Sequence, residues 1–121
     1  MVIGDRDAQI LEKLIKYCLE IEHAHHEYSC SYETFCANPT YRNAIALCLM
    51  QIGELAGKLS DDFRAANTQI PWRAIRGMRN VVAHEYGRID METVWETAEN
   101  GTQELKEFCQ KTLQEAQNQG V

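Results

Sequence analysis

Apolar residues in this chain recur at spacings of three and four over long stretches, and this periodicity is typical of amphipathic α-helices. Over Asp5 to Glu27 the pattern is carried by Ile10, Leu11, Leu14, Ile15, Cys18 and Ile21. The chain has only two prolines, Pro39 and Pro71, so few positions interrupt such helices. No stretch alternates polar and apolar residues for long enough to predict a strand. The pattern therefore predicts an all-α fold.

The same periodicity divides the chain into four main helices. We predict them over Asp5 to about Glu27, Thr40 to about Ser60, Pro71 to Gly87, and from beyond Asn100-Gly101 to about Gln117. In the second helix, which Thr40 caps, the side expected to be buried holds Tyr41, Ala44, Ile45, Cys48, Ile52, Leu55 and Leu59. Ser29 to Pro39 is expected as a connection with one short helical turn, Asp61 to Ile70 as a loop, and Asp90 as the cap of a short helix. Residues 1–121 are thus predicted to form one domain, an up-and-down helical bundle of four main helices with short extra helical turns.

The charges are distributed unevenly along the chain. A net charge of −6 argues against a general nucleic-acid coat protein, which needs an excess of Lys and Arg to neutralise phosphates. The segment from Arg73 to Arg88 nevertheless holds four arginines and a single acid, Glu85. An acidic chain with one arginine-rich segment is typical of a local anion site.

The cysteines indicate in which cellular compartment the protein is expected, as do the lack of a secretory signal and of a membrane-spanning run. The five cysteines are odd in number and form no Cys-x-x-Cys pair, and the segment after Met1 does not resemble a secretory signal. No apolar run approaches the ~20 residues that span a bilayer. We expect reduced thiols and a cytoplasmic protein without membrane contact, in which Cys18 and Cys48 are small core residues.

The predicted third helix groups polar residues of different chemistry. At about 100° per residue, Arg76, Asn80 and His84 form one stripe, and Arg79 lies on an adjoining edge with Tyr86. Arginine matches phosphate oxygens, and histidine transfers protons near neutral pH. Both are suited to RNA, which supplies its own 2′-hydroxyl nucleophile, so that no metal or other cofactor is required. Taken alone, a histidine near a helix end is more often a solvated residue than a catalyst.

Other residues have a functional and a structural interpretation. Gly53 and Gly57 lie on one helix face and predict a close approach by another helix, from the same chain or from a second subunit. Trp72 and Trp95 are interpreted as core or interface anchors rather than as base-stacking residues. The cluster of His23, His25 and His26 lacks a third fixed ligand and is interpreted as the end of a polar helix, not as a metal site.

Several segments together resemble one known family. Arg79-Asn80-x-x-x-His84-x-Tyr86 resembles the Arg-x4-His motif of the HEPN superfamily, in the form with an added Tyr that HepT-like toxins carry. The preceding run from Ile70 and the segment Asp90 to Trp95 also resemble that family, as does Ile52-Gly53-Glu54-Leu55-Ala56. The last segment departs mildly from the usual Ile-Gly-Glu-Ala, and Glu54 is at most a supporting residue.

The resemblance implies a HEPN-like helical fold and a homodimer with the motif at the subunit cleft. It also implies metal-independent endoribonuclease activity and the role of toxin in a bacterial toxin–antitoxin pair. The antitoxin would be an MNT-type nucleotidyltransferase, which in some family members adenylylates the motif tyrosine, here Tyr86. A bulky anionic group at that position would occupy the phosphate site and inactivate it.

These observations lead to one hypothesis and two alternatives. In the hypothesis, His84 is the general acid or base, Arg79 stabilises the pentavalent phosphate and Asn80 positions the imidazole. Arg73, Arg76 and Tyr86 then bind RNA, and Tyr86 is also the target of modification. In the first alternative the same site is a non-catalytic nucleotide- or RNA-binding module. In the second, the chain is a structural partner subunit of the nucleotidyltransferase.

Overall fold

A computed structural model describes the backbone of residues 3–85 and 91–119, and the side chains of residues 3–80 and 91–118. Every regular element within these ranges is helical, so the all-α prediction is confirmed. The elements are α1 (Asp5–Glu27), α2 (Tyr32–Ala37), α3 (Pro39–Lys58), α4 (Asp61–Ala66), α5 (Trp72–Glu85), α6 (Met91–Glu96), a π-helical turn (Thr97–Gly101) and α7 (Thr102–Gln119). None of the helices found in these ranges has a segment long and apolar enough to cross a membrane.

Side-chain caps correct two predicted boundaries. Asn38, not Thr40, caps α3, because its Oδ1 accepts hydrogen bonds from the backbone N–H groups of Thr40 and Tyr41. The predicted loop from Asp61 to Ile70 is wrong over its first half. There the Ser60 hydroxyl accepts from the N–H of Phe63 and starts α4, a helix too short to produce a periodic pattern.

The core lies where α3 packs against α1 on one side and α5 on the other, with α7 also against α1. Its fully buried side chains include Leu11 and Leu14 of α1, Ile45 of α3, and Cys109 of α7. One predicted core position is wrong, because Ala44 is exposed. The two tryptophans do pack as core anchors: Trp72 contacts Phe63 and Phe108, and Trp95 contacts Phe35 and Tyr41.

A buried histidine joins three elements of the bundle. His25 is buried, and its Nδ1 lies 2.5 Å from the hydroxyl of Tyr41 in α3. Its Nε2 lies 3.4 Å from the carbonyl oxygen of Ala98 in the π-helical turn. The interpretation of the histidine cluster as a polar helix end is therefore wrong for His25, whereas His23 and His26 are exposed. Sequence periodicity did not distinguish them because a buried imidazole needs partners from distant elements.

The last helix begins directly after Asn100-Gly101, as predicted. These residues belong to the π-helical turn, which connects α6 directly to α7. The hydroxyl of Thr102 donates to the carbonyl of Ala98 at 2.7 Å, and this carbonyl also faces His25. The chain is therefore helical without a gap from Met91 to Gln119, and the π-helical turn is the one departure from α-helical hydrogen bonding in this stretch.

Candidate functional site

The site begins with an unusually close contact between α3 and α5. A Cβ atom added to Gly53 would lie 3.0 Å from the carbonyl oxygen of Ile75 and 3.1 Å from the backbone nitrogen of Arg79. The predicted close approach is therefore confirmed, and the approaching helix is α5 of the same chain. Gly57, one turn further along α3, lies against Arg76, whose Nε would be 3.4 Å from an added Cβ. The C-terminal end of α3 therefore lies against the N-terminal part of α5, so the two helices run antiparallel.

Beside this contact, α3 and α5 enclose an open groove of about 490 Å³. Its lining residues are Gly53, Glu54, Gly57, Lys58, Arg73, Arg76, Gly77, Arg79 and Asn80. Arg76 and Asn80 of the predicted stripe thus line one groove together with Arg79 of the adjoining edge. Four of the sequence-predicted site residues, Arg73, Arg76, Arg79 and Asn80, are brought together there.

The groove carries a strong excess of positive charge. Among the described residues that line it, Lys58, Arg73, Arg76 and Arg79 supply four cationic side chains, and Glu54 supplies the single carboxylate. All four cations are exposed, so an incoming anion can reach them. In a chain with a net charge of −6, these side chains make the groove electrostatically suited to an anion such as a phosphate.

Glu54 holds the motif arginine by an ion pair. Its Oε1 accepts from the Nε of Arg79 across the groove. Arginine has five N–H donors and this contact uses that of Nε, so among the described residues the terminal NH₂ groups stay available for a phosphate. Glu54 therefore restricts the orientation of Arg79 without using its full binding capacity.

The partial negative charge at the C-terminal end of α3, beside Lys58, is partly offset by a neighbouring arginine. A helix C-terminus presents unpaired carbonyl oxygens and partial negative charge, which would repel an anion. Here Nη1 of Arg64 donates to the carbonyls of Ala56, Gly57 and Leu59 at 3.0, 3.2 and 2.7 Å. These hydrogen bonds reduce the repulsion that the end of α3 would exert on an anion, although the same guanidinium also pairs with Asp61.

Two predicted site residues fall outside this description. His84 belongs to α5, but the structure does not describe its side chain. Tyr86 lies outside the described residues, as does Arg88, and so do the caps predicted at Gly87 and Asp90. The roles assigned to His84 and Tyr86 therefore stay predictions.

Sequence reasoning missed Lys58 and gave Glu54 only a supporting role. A signal was present, because Glu54 and Lys58 directly follow Gly53 and Gly57, and the four-residue spacing places them on one edge of α3. In the described part of the chain, no group of three or more His, Cys, Asp or Glu residues is arranged to hold a metal ion.

Comparisons with known proteins agree on one family. The family model described as "Ribonuclease HepT-like" matches residues 9–112, a range that includes the whole groove. "Putative RNase MJ1216" of Methanocaldococcus jannaschii is 36% identical over 84 residues, which cover 69% of each chain. "Putative RNase TTE0752" of Caldanaerobacter subterraneus is 33% identical, over 69% of this chain and 75% of its own. "Probable ribonuclease HepT" of Thermococcus cleftensis is 29% identical, over 62% of this chain and 68% of its own. No solved structure gave a significant match.

Proposed function

Because this chain belongs to the HepT-like ribonuclease family, we propose that it is a metal-independent endoribonuclease that binds RNA in the α3–α5 groove. The observation that carries the proposal is the position of Arg79. It lies with Asn80 in a groove lined by three further cationic side chains, on the same helix as His84. A phosphodiester bound at Arg79 would lie beside α5, the helix that also carries His84, the candidate proton-transfer group.

The chemistry requires two proton transfers and stabilisation of charge. The 2′-oxygen of the RNA attacks the adjacent phosphorus and loses its proton, while the bond from phosphorus to the 5′-oxygen breaks and that oxygen gains a proton. His84 performs one of these transfers, and Arg79 binds the extra negative charge of the pentavalent phosphate. Asn80 positions the imidazole. Since one histidine does not easily serve both transfers at once, we propose a homodimer that brings two such sites to one cleft.

The biological role that fits this activity is that of a toxin in a bacterial toxin–antitoxin pair in the cytoplasm. We propose an MNT-type nucleotidyltransferase as the antitoxin and Tyr86 as its target. Tyr86 follows Arg79 by seven residues, close to the groove in sequence. A nucleotidyl group on it would add negative charge that competes with RNA for the same cations.

The decisive experiment replaces the candidate acid–base group. We expect His84→Ala to reduce the cleavage of single-stranded RNA in the presence of EDTA by about 100-fold or more, the usual contribution of a general acid or base. The matched control is His23→Ala, which removes an exposed histidine of α1 outside the groove and should leave cleavage unchanged. Circular dichroism checks that both variants fold.

Four outcomes would contradict the proposal. Undiminished cleavage by His84→Ala would remove His84 from the chemistry, and loss of wild-type cleavage in EDTA would show that a metal is needed. If the wild type binds RNA but never cleaves it, the chain is a binding module. If it binds only the nucleotidyltransferase, and does so after loss of Arg79 and His84, it is a structural partner subunit.

A further inference from the structure

The groove extends well beyond the motif arginine. Arg76 and Arg73 follow Arg79 toward the start of α5, and with a rise of 1.5 Å per residue Arg73 lies about 9 Å from Arg79 along the helix axis. Lys58 faces this part of the groove from the last turn of α3. Cations thus line the groove over a length that exceeds one phosphate group.

The chemistry of the lining indicates how a ligand would be held there. No aromatic side chain occurs among the described residues that line the groove, so bases have no surface on which to stack. Arg73, Arg76 and Lys58 are donors without acceptor capacity, suited to phosphate oxygens. The hydrogen bonds from Arg64 to the last carbonyls of α3 reduce the repulsion that this helix end would otherwise exert on an anion.

We propose that Lys58, Arg73 and Arg76 form a second phosphate subsite, which binds the backbone of single-stranded RNA beside the phosphate that is cleaved at Arg79. This subsite rests on the proposed function and specifies its substrate class. The substrate is a strand with phosphates on more than one side of the cleaved bond. Recognition at the subsite depends on charge and not on base identity, so it shows little sequence preference and weakens strongly with salt.

The test compares a dinucleotide with a longer single-stranded oligonucleotide of mixed sequence, using the full chain. The wild type should cleave the longer strand with the higher kcat/KM. In the double variant Lys58→Ala/Arg73→Ala, KM for the longer strand should rise about tenfold, because charged hydrogen bonds are lost. The ratio of kcat/KM for the longer strand to kcat/KM for the dinucleotide should therefore fall. The slope of log Kd against log salt should fall by about 0.7 for each lost contact.

The matched control is Lys13→Ala/Lys111→Ala. It removes the same number of charges from exposed positions on α1 and α7, away from the groove. If both double variants weaken binding equally, the effect is one of net charge and the subsite is refuted. If the wild type cleaves both substrates equally well, the subsite is also refuted, although the proposed nuclease function stands.

A binding measurement separates the subsite from the nuclease function. A fluorescent DNA strand of the same sequence lacks the 2′-hydroxyl and cannot be cleaved, so its anisotropy reports binding alone. Weaker binding by Lys58→Ala/Arg73→Ala than by the control supports the subsite even if no RNA cleavage is found. Equal binding by both variants and the wild type would overturn it.

Discussion

At the scale of single residues, the ion pair between Glu54 and Arg79 determines how the motif arginine is held. The two side chains are 38% and 55% exposed, and pairs at such positions contribute little stability, about 1 kcal/mol or less. If the groove binds phosphates as proposed, a carboxylate in it would also weaken the binding of the substrate. We infer that Glu54 serves instead to orient Arg79, with which it forms an ion pair.

We predict that Glu54→Gln lowers kcat for RNA cleavage by about tenfold while KM falls or stays unchanged, because the variant frees Arg79 and removes a negative charge. The free energy of unfolding should change by less than about 1 kcal/mol. Glu22 provides a matched control, since it is 39% exposed and pairs with Lys106 outside the groove. Glu22→Gln should leave both kinetic parameters unchanged. An unchanged kcat for Glu54→Gln would show that the pair has no positioning role.

At the scale of elements, two glycines of the groove have opposite surroundings. Gly53 of α3 is pressed against the backbone of α5, whereas an added Cβ on Gly77 of α5 would meet nothing within 4 Å. The first glycine permits the helices to approach. The second carries the usual cost of glycine in a helix without a packing reason in the described structure, and it leaves the groove wider.

Chemical denaturation of two alanine variants tests this difference. Gly53→Ala should destabilise the fold by about 1–3 kcal/mol, because α5 must shift to relieve contacts near 3 Å. Gly77→Ala should stabilise it by about 0.5–1 kcal/mol, because alanine is the better helix former and space is free. Each variant is the control for the other. Equal effects would contradict the assignment of the helix contact to Gly53.

The elements also show what sequence patterns can predict. The long helices α1, α3, α5 and α7 were predicted from periodicity, because each buries one face over several turns. The short helix α4 was missed because six residues carry too few apolar positions, and its start depends on the Ser60 cap. The burial of His25 could not be predicted, because it depends on contacts with Tyr41 and Ala98, which are distant in sequence.

At the scale of the whole molecule, the core contains three thiols from three helices. Cys18 of α1, Cys48 of α3 and Cys109 of α7 are buried, as the sequence predicted for Cys18 and Cys48. Burial raises the pKa of each thiol from 9.0 to about 12. In the unfolded chain these thiols ionise near their ordinary pKa, so above pH 9 the native state binds more protons than the unfolded state.

The free energy of unfolding should therefore fall as the pH rises from about 9 toward 12, by up to about 1.4 kcal/mol per pH unit for each buried thiol. Burial raises the pKa of Tyr41 to about 12 as well, and this adds to the decline at the alkaline end. Denaturant titrations in the presence of a reductant measure the decline. Cys109→Ala should make it shallower, and Cys36→Ala, which removes an exposed thiol, is the control. The same slope in both variants would contradict the prediction.

By itself, the sequence determined the helical class, the four long helices and the placement of Arg73, Arg76, Arg79 and Asn80 on one of them. Each of these follows from local spacing, because the geometry of an α-helix is the same wherever it occurs. Only the tertiary structure decided that Arg76, Asn80 and Arg79 line one groove, that Glu54 binds Arg79, and that Lys58 faces the arginines. The register of two packed helices depends on side chains far apart in the chain, here on the absence of a Cβ at Gly53, and spacing along one helix does not contain that information.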